Sequence, residues 1–147
     1  MTSLADFRRV AAADRYLCIV ATTRADDTVQ ASLVNAGIIG QPNGAGEVVA
    51  FVARGGSRKL AHLRARPAVT VVARAGWEWV AVEGTAELIG PDDPGPGLDA
   101  EGLRLLLREV FSAAGGTHDD WPDYDATMQR ERRAAVLVRP DRVYSNG

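Results

Sequence analysis

The residues with the clearest chemical purpose form one run, Arg54-Gly55-Gly56-Ser57-Arg58-Lys59. The run follows an apolar segment and opens a helical pattern. Two glycines let the backbone approach a bound group closely. A helix start offers free N–H groups and the positive end of a dipole. The Ser57 hydroxyl, the Arg58 fork and the Lys59 ammonium add donors. Together they suit a phosphate or phosphodiester. The same residues also read as a glycine turn followed by a capped surface helix. The spacing is not that of a Walker loop, and no parallel βαβ unit surrounds it.

Other chemistry is sparse. The two histidines, His62 and His118, belong to no Cys/His cluster with metal spacing. No Gly-x-Ser-x-Gly elbow is present. Glu83 and Glu87 lie four apart on one strand face and read as a solvated or subunit-contacting edge. No catalytic residue can be named. A chain with so few acids, bases and nucleophiles would take its chemistry from a redox cofactor.

These residues are positioned by a mixed order of elements. Residues 2–13 read as a helix capped by Ser3, with Leu4, Phe7, Val10 and Ala11 at helical spacing. Tyr16–Thr23, Thr28–Ile39 and Glu47–Ala53 read as three strands in an antiparallel meander. The first hairpin turns at Asp26-Asp27 and the second at Gln41-Pro42-Asn43-Gly44. Ser57 caps a short helix, Arg58–Arg66, which Pro67 stops. Val69–Arg74 is apolar on both parities and is expected to be covered on both faces. In Trp77–Ile89 the even positions from Val80 are apolar and the odd ones polar. Trp77 and Trp79 therefore leave on the non-core side, where a partner subunit, a ring-shaped ligand or the chain's own helices must cover them. After a Gly90–Gly97 loop come two helical patterns, Asp99–Ala114 and Asp120–Arg133. Ala134–Val138 and Pro140–Tyr144 close the chain. Mostly antiparallel strands with flanking helices give an α+β closed barrel as the fold class, in one domain spanning 1–147.

The net charge is −2, but it is uneven: Arg54–Arg74 carries six bases and no acid. That block would attract a small anion. The chain as a whole is too acidic for nucleic acid, and no apolar run reaches membrane-spanning length. The single cysteine, Cys18, cannot form an internal disulfide, which points to the cytoplasm. It reads as a buried structural thiol. Heavy Ala and Arg usage suggests a GC-rich bacterial source.

Several stretches resemble the pyridoxamine-phosphate-oxidase-like split β-barrel superfamily, and more closely its actinobacterial branch that uses the deazaflavin coenzyme F420. They are Ala21-Thr22-Thr23-Arg24-Ala25-Asp26-Asp27, Ser57-Arg58-Lys59 with Leu63 and Pro67, and Gly76-Trp77-Glu78-Trp79-Val80-Ala81-Val82-Glu83-Gly84-Thr85-Ala86. The segment His118-Asp119-Asp120-Trp121-Pro122-Asp123-Tyr124, then Arg132-Arg133 and Val143-Tyr144, is also similar to that branch. The resemblance implies a homodimer with cofactor sites at the interface. It implies that Lys59, with Ser57 and Arg58, holds the coenzyme's phosphate. It further implies that Gln30, Ser32 and the backbone around Val52-Ala53 line the ring pocket, with Trp77 and Trp79 nearby. Relatives often carry a basic residue two before the lysine, where this chain has Ser57; Arg58 or Arg54 takes that part here. The activity implied is hydride transfer between reduced F420 and a small organic acceptor. An oxidase or reductase using flavin mononucleotide (FMN), and a non-catalytic coenzyme or haem carrier with His62 or His118 as ligand, are the competing readings.

Overall fold

A computed structural model describes residues 1–95 and 97–147; Pro96, within the expected Gly90–Gly97 loop, lies outside the described residues. The elements in chain order are α1 (Leu4–Ala13), β1 (Leu17–Thr23), β2 (Val29–Asn35), β3 (Gly37–Gly40) and β4 (Glu47–Ala53). They continue with α2 (Arg58–Ala65), β5 (Ala68–Ala75), β6 (Glu78–Ile89), α3 (Ala100–Ala113), α4 (Trp121–Arg130) and β7 (Ala134–Ser145).

Local chemistry accounts for the boundaries. Ser3, Ser57, Asp99 and Asp120 stand at the four helix N-caps, and each is a residue type that satisfies orphan N–H groups. The β5–β6 hairpin pairs Ala75 with Glu78 across a two-residue loop. Gly76 takes φ 62 there, the sign a tight hairpin turn needs.

All seven strands join in one antiparallel sheet, ordered β2-β1-β5-β6-β7-β4-β3. β2 and β3 adjoin in sequence, separated by Ala36 alone, yet they lie at opposite ends of that order. The sheet must therefore roll into a barrel, with segment 29–40 bridging both edges. The first half of this segment pairs with β1 and the second half with β4. The single strand expected over Thr28–Ile39 is thus two strands with a kink, because one straight strand cannot follow both neighbours around the closure. Ala134–Val138 and Pro140–Tyr144, expected as separate pieces, are one strand. It takes an irregular register opposite Glu83/Gly84, where a Cβ on Gly84 would sit 2.1 Å from the Arg139 carbonyl oxygen.

Two apolar clusters hold the fold. Phe7, Val20, Phe51, Leu60, Val71 and Val136 belong to the first, which fills the barrel beneath α1 and α2. Large apolar side chains buried this completely contribute about 1.5–3 kcal/mol each. The second lies on the outer face of β3, β4 and β7, under α3 and α4, and includes Val48, Ala50, Leu107, Val110 and Tyr124. Among the described residues no such cluster covers the outer face of β1, β2 and β5. Val72 and Thr70 of β5 are only half-buried, so the expectation of a strand covered on both sides holds for its inner face alone.

Cys18 faces the barrel interior at 1% exposure, and burial pushes its thiol up to about 12. The native protein is expected to leave a thiol reagent such as Ellman's reagent unreacted at pH 8, with one thiol appearing on unfolding. Rapid native labelling would contradict this burial.

Candidate functional site

β4 delivers the basic run to the place where the barrel opens. After Ala53 the chain turns through Arg54-Gly55-Gly56, with Gly56 at φ 76. Gly55 has a second reason to lack a side chain: a Cβ there would lie 2.5 Å from the Arg132 carbonyl oxygen. Its N–H donates to the Glu131 carbonyl at 3.0 Å. This glycine therefore locks the turn against the segment between α4 and β7, rather than waiting for a ligand. Ser57 caps α2, its Oγ accepting from the Leu60 N–H at 3.4 Å.

Lys59 sits in the first turn of α2 and is half-buried. Its Nζ lies 5.8 Å from the Phe51 ring centroid, and among the described residues no carboxylate pairs with it. Burial lowers its pKa, and the neighbouring Arg133 charge lowers it further. An ammonium held in this way gains from any anion that reaches it. Arg133 itself bonds the Glu131 carboxylate at 2.9 Å through Nε. Arg54 is exposed, and Arg58 points to solvent.

These groups border a cleft of about 570 Å³. On one side are Leu33, Val34 and Asn35 of β2; on the other are Val52, Ala53 and Arg54. The last turn of α3 supplies Phe111 and Ala114, followed by Gly115 and Gly116. Arg15, from the α1–β1 connection, completes the border with Lys59, Ser57 and Arg133. Four cations thus border the cleft, and among the described residues the one carboxylate bonded to them is that of Glu131. Phe111 is braced from behind by Tyr124, 4.9 Å away, and Trp121, 6.1 Å away. Burial pushes the Tyr124 hydroxyl up to about 12, and it donates to the Leu107 carbonyl at 2.9 Å.

Of the residues expected at a cofactor site, the cleft brings together Val52, Ala53, Arg54, Ser57 and Lys59. Gln30, Ser32, Arg58, Trp77 and Trp79 do not line it. Gln30 and Ser32 alternate with the exposed positions of β2 and share the side of Thr22, which pairs with Gln30 across the ladder. The Gln30 Oε1 is buried without a hydrogen-bond partner. Trp77 lies in the β5–β6 loop rather than in the strand and is 93% exposed. Trp79 is on the outer face, edge-on to Tyr144 with centroids 6.0 Å apart. The cleft also holds residues that the reading of single segments did not bring to the site: Arg15, Phe111 and Gly115-Gly116. The glycine pair directly after a helical apolar stripe was their one visible signal.

Neither histidine lines the cleft. His62 Nδ1 lies 3.1 Å from Thr22 Oγ1, and His118 Nδ1 accepts from the Asp120 N–H at 3.0 Å. Among the described residues no cluster of His, Cys, Asp and Glu could hold a metal ion, and no helix is long and apolar enough to cross a membrane.

A family model described as pyridoxamine 5'-phosphate oxidase matches residues 6–146. Solved structures share the fold. An F420 reductase aligns at TM-score 0.61 with 19% identity, over 88% of this chain and 90% of its own. A pyridoxamine 5'-phosphate oxidase-related, FMN-binding protein from Nostoc punctiforme aligns at TM-score 0.62 with 13% identity, over 96% and 82%. A haem storage protein from Vibrio cholerae aligns at TM-score 0.60 with 13% identity, over 98% and 94%. Identities this low establish the common split barrel and nothing narrower.

Proposed function

The chain belongs to the pyridoxamine 5'-phosphate oxidase family, and from that premise we propose that it is an oxidoreductase using coenzyme F420 to reduce a small organic acceptor. The observation that carries the reading is Lys59: a half-buried ammonium without a carboxylate partner, beside Arg133, at the edge of a cleft with apolar walls. A phosphate-bearing planar coenzyme fits that donor set. When bound, such a coenzyme supplies the hydride.

The protein's own work is binding and orientation. Lys59, Arg54 and the Ser57 hydroxyl receive the phosphate. Val52, Leu33 and Phe111 offer apolar surface for a ring and exclude water. Arg133, fixed by Glu131, adds positive potential without being free to swing away.

The proposal includes a homodimer with its sites at the interface, in the cytoplasm. A row of outward-facing apolar side chains in register supports it: Leu33, Ile19 and Val72, crossing β2, β1 and β5. Leu33 is 60% exposed and Ile19 44%, with Val29 at 60% further along the same face of β2. An uncovered apolar row across three strands is what an isologous contact buries. Ile19→Glu is expected to give monomers by sedimentation velocity while retaining the native far-ultraviolet spectrum; a dimer unaffected by this charge would move the contact elsewhere.

Coenzyme identity is tested by fluorescence titration with F420 and, separately, FMN. Trp121 supplies the signal through its contact with Phe111. Saturable quenching by F420 with a weaker response to FMN supports the proposal. Preference for FMN assigns the cleft to flavin chemistry. Tight F420 binding with no oxidation of the reduced coenzyme across a panel of enones and quinones favours a carrier.

A further inference from the structure

We infer that Arg15, with Asn35, forms a second anion-recognising end of the cleft, and that it takes the carboxylate of the small organic acceptor. The inference rests on the coenzyme reading, which places the other anion at Lys59.

The four cations of the cleft fall into two groups. Arg54, Lys59 and Arg133 are carried by parts that touch one another: Gly55 bonds Glu131, and Lys59 senses the Arg133 charge. Arg15 comes from a different part of the chain. Its carbonyl accepts from Asn35 Nδ2 at 3.0 Å, which ties it to the end of β2. Leu33, Val34 and Asn35 border the cleft from β2, and Val52, Ala53 and Arg54 border it from the end of β4. Arg15 therefore belongs to the β2 side of the cleft, and Arg54 to the end of β4.

Three features suit Arg15 to this role. First, no carboxylate among the described residues pairs with it, although it borders a cavity. Second, its backbone is fixed. Arg15 and Tyr16 adopt φ 58 and 61. The Tyr16 N–H donates to the Ala11 carbonyl at 2.7 Å, and the Tyr16 carbonyl accepts from the Ala36 N–H at 3.0 Å. Third, the guanidinium fork matches a carboxylate in two-point fashion. Leu33 and Phe111 border the space towards Lys59, so the acceptor class is a carboxylate on a planar apolar body.

The test is a titration of ¹⁵N-labelled, coenzyme-free protein followed by NMR, with sodium benzoate, benzamide and inorganic phosphate as separate probes. Benzoate is expected to shift the Arg15 Nε–H and the Asn35 side-chain amide, and benzamide to leave them in place. Arg15→Gln is expected to weaken benzoate about tenfold, the scale of a charge-assisted pair. Arg15→Asn, whose side chain tolerates the positive φ, is expected to do the same and guards against a folding artefact. Benzoate shifts confined to Arg54, Ser57 and Lys59, or affinities within about twofold for both variants, would overturn the inference. Phosphate is read in the same protein at the Arg54 and Ser57 amides. Silence there with an intact benzoate response removes the coenzyme-phosphate reading, whereas a phosphate response without an Arg15 response removes only the acceptor end.

Discussion

Lys59→Met is expected to weaken F420 binding by tenfold or more while making the ligand-free protein more stable. The loss follows from removing one charge-assisted contact to a phosphate, about 1.5–3 kcal/mol. The gain follows from the same burial that makes the contact strong. In the folded state the Lys59 pKa is lowered, first by burial and then by Arg133. The unfolded chain therefore binds this proton more tightly than the native one, and stability rises with pH through the window between the lowered value and the ordinary lysine value. Below that window, neutral pH included, folding holds an unwelcome charge in place. Methionine keeps the aliphatic stem against Phe51 and removes the charge. Urea denaturation of both proteins at pH 7 and pH 10 checks the argument: the advantage of the variant should shrink at the higher pH. A variant with unchanged F420 affinity would take Lys59 out of the site, whatever its stability did.

The sequence revealed elements more readily than meetings between them. The caps Ser3 and Ser57 are local devices, and each helix they predicted is present. The basic run at Arg54–Lys59 was legible for the same reason, since a turn and a helix start lie within six residues. The kink at Ala36 was not, because alanine carries no turn signal and the bend is imposed by closure of the barrel. Trp77 was assigned to the strand on alternation alone, but Gly76 takes the positive φ of the hairpin and leaves Trp77 in the loop. Half of the cleft was hidden in another way. Arg15, Phe111 and Arg133 are separated by up to 118 positions in the chain and reach one cleft through separate contacts: Asn35 on Arg15, α3 over β3 and β4, and Gly55 on Glu131. Arg132 and Arg133 also look equivalent in sequence. Arg132 turns outward to Asp92, and Arg133 turns inward to the cleft. That choice is made by the Gly55 contact, a packing relation that no window of residues contains.

Gly37→Ala should damage both fold and site, through one carbonyl. Gly37 opens β3 immediately after the kink and is buried against the end of α3. A Cβ at this position would stand 2.3 Å from the Ala113 carbonyl oxygen, 2.4 Å from its carbon and 2.8 Å from the Ala114 nitrogen. All three atoms are backbone, so no side-chain rotation relieves the overlap. Either β3 moves away from its pairing with β4 or the last turn of α3 lifts. Overpacking of this kind costs about 1–3 kcal/mol, occasionally more, and we expect the upper end, a drop in Tm of roughly 6–12 °C for a chain of this length. The second effect follows from what that turn carries. Ala114, Gly115 and Gly116 border the cleft, so a lifted turn widens it where apolar surface is needed, and F420 affinity falls even in the molecules that remain folded. Gly40→Ala, at the other end of the same strand, is the matched control: its Cβ would meet nothing within 4 Å, and its stability should stay within about 0.5 kcal/mol of the parent. Thermal melts separate the two variants, and F420 titration well below the lower Tm isolates the effect on the cleft. Equal melting temperatures for the two variants would mean that α3 does not rest on Gly37 as described, and the roof of the cleft would need another support.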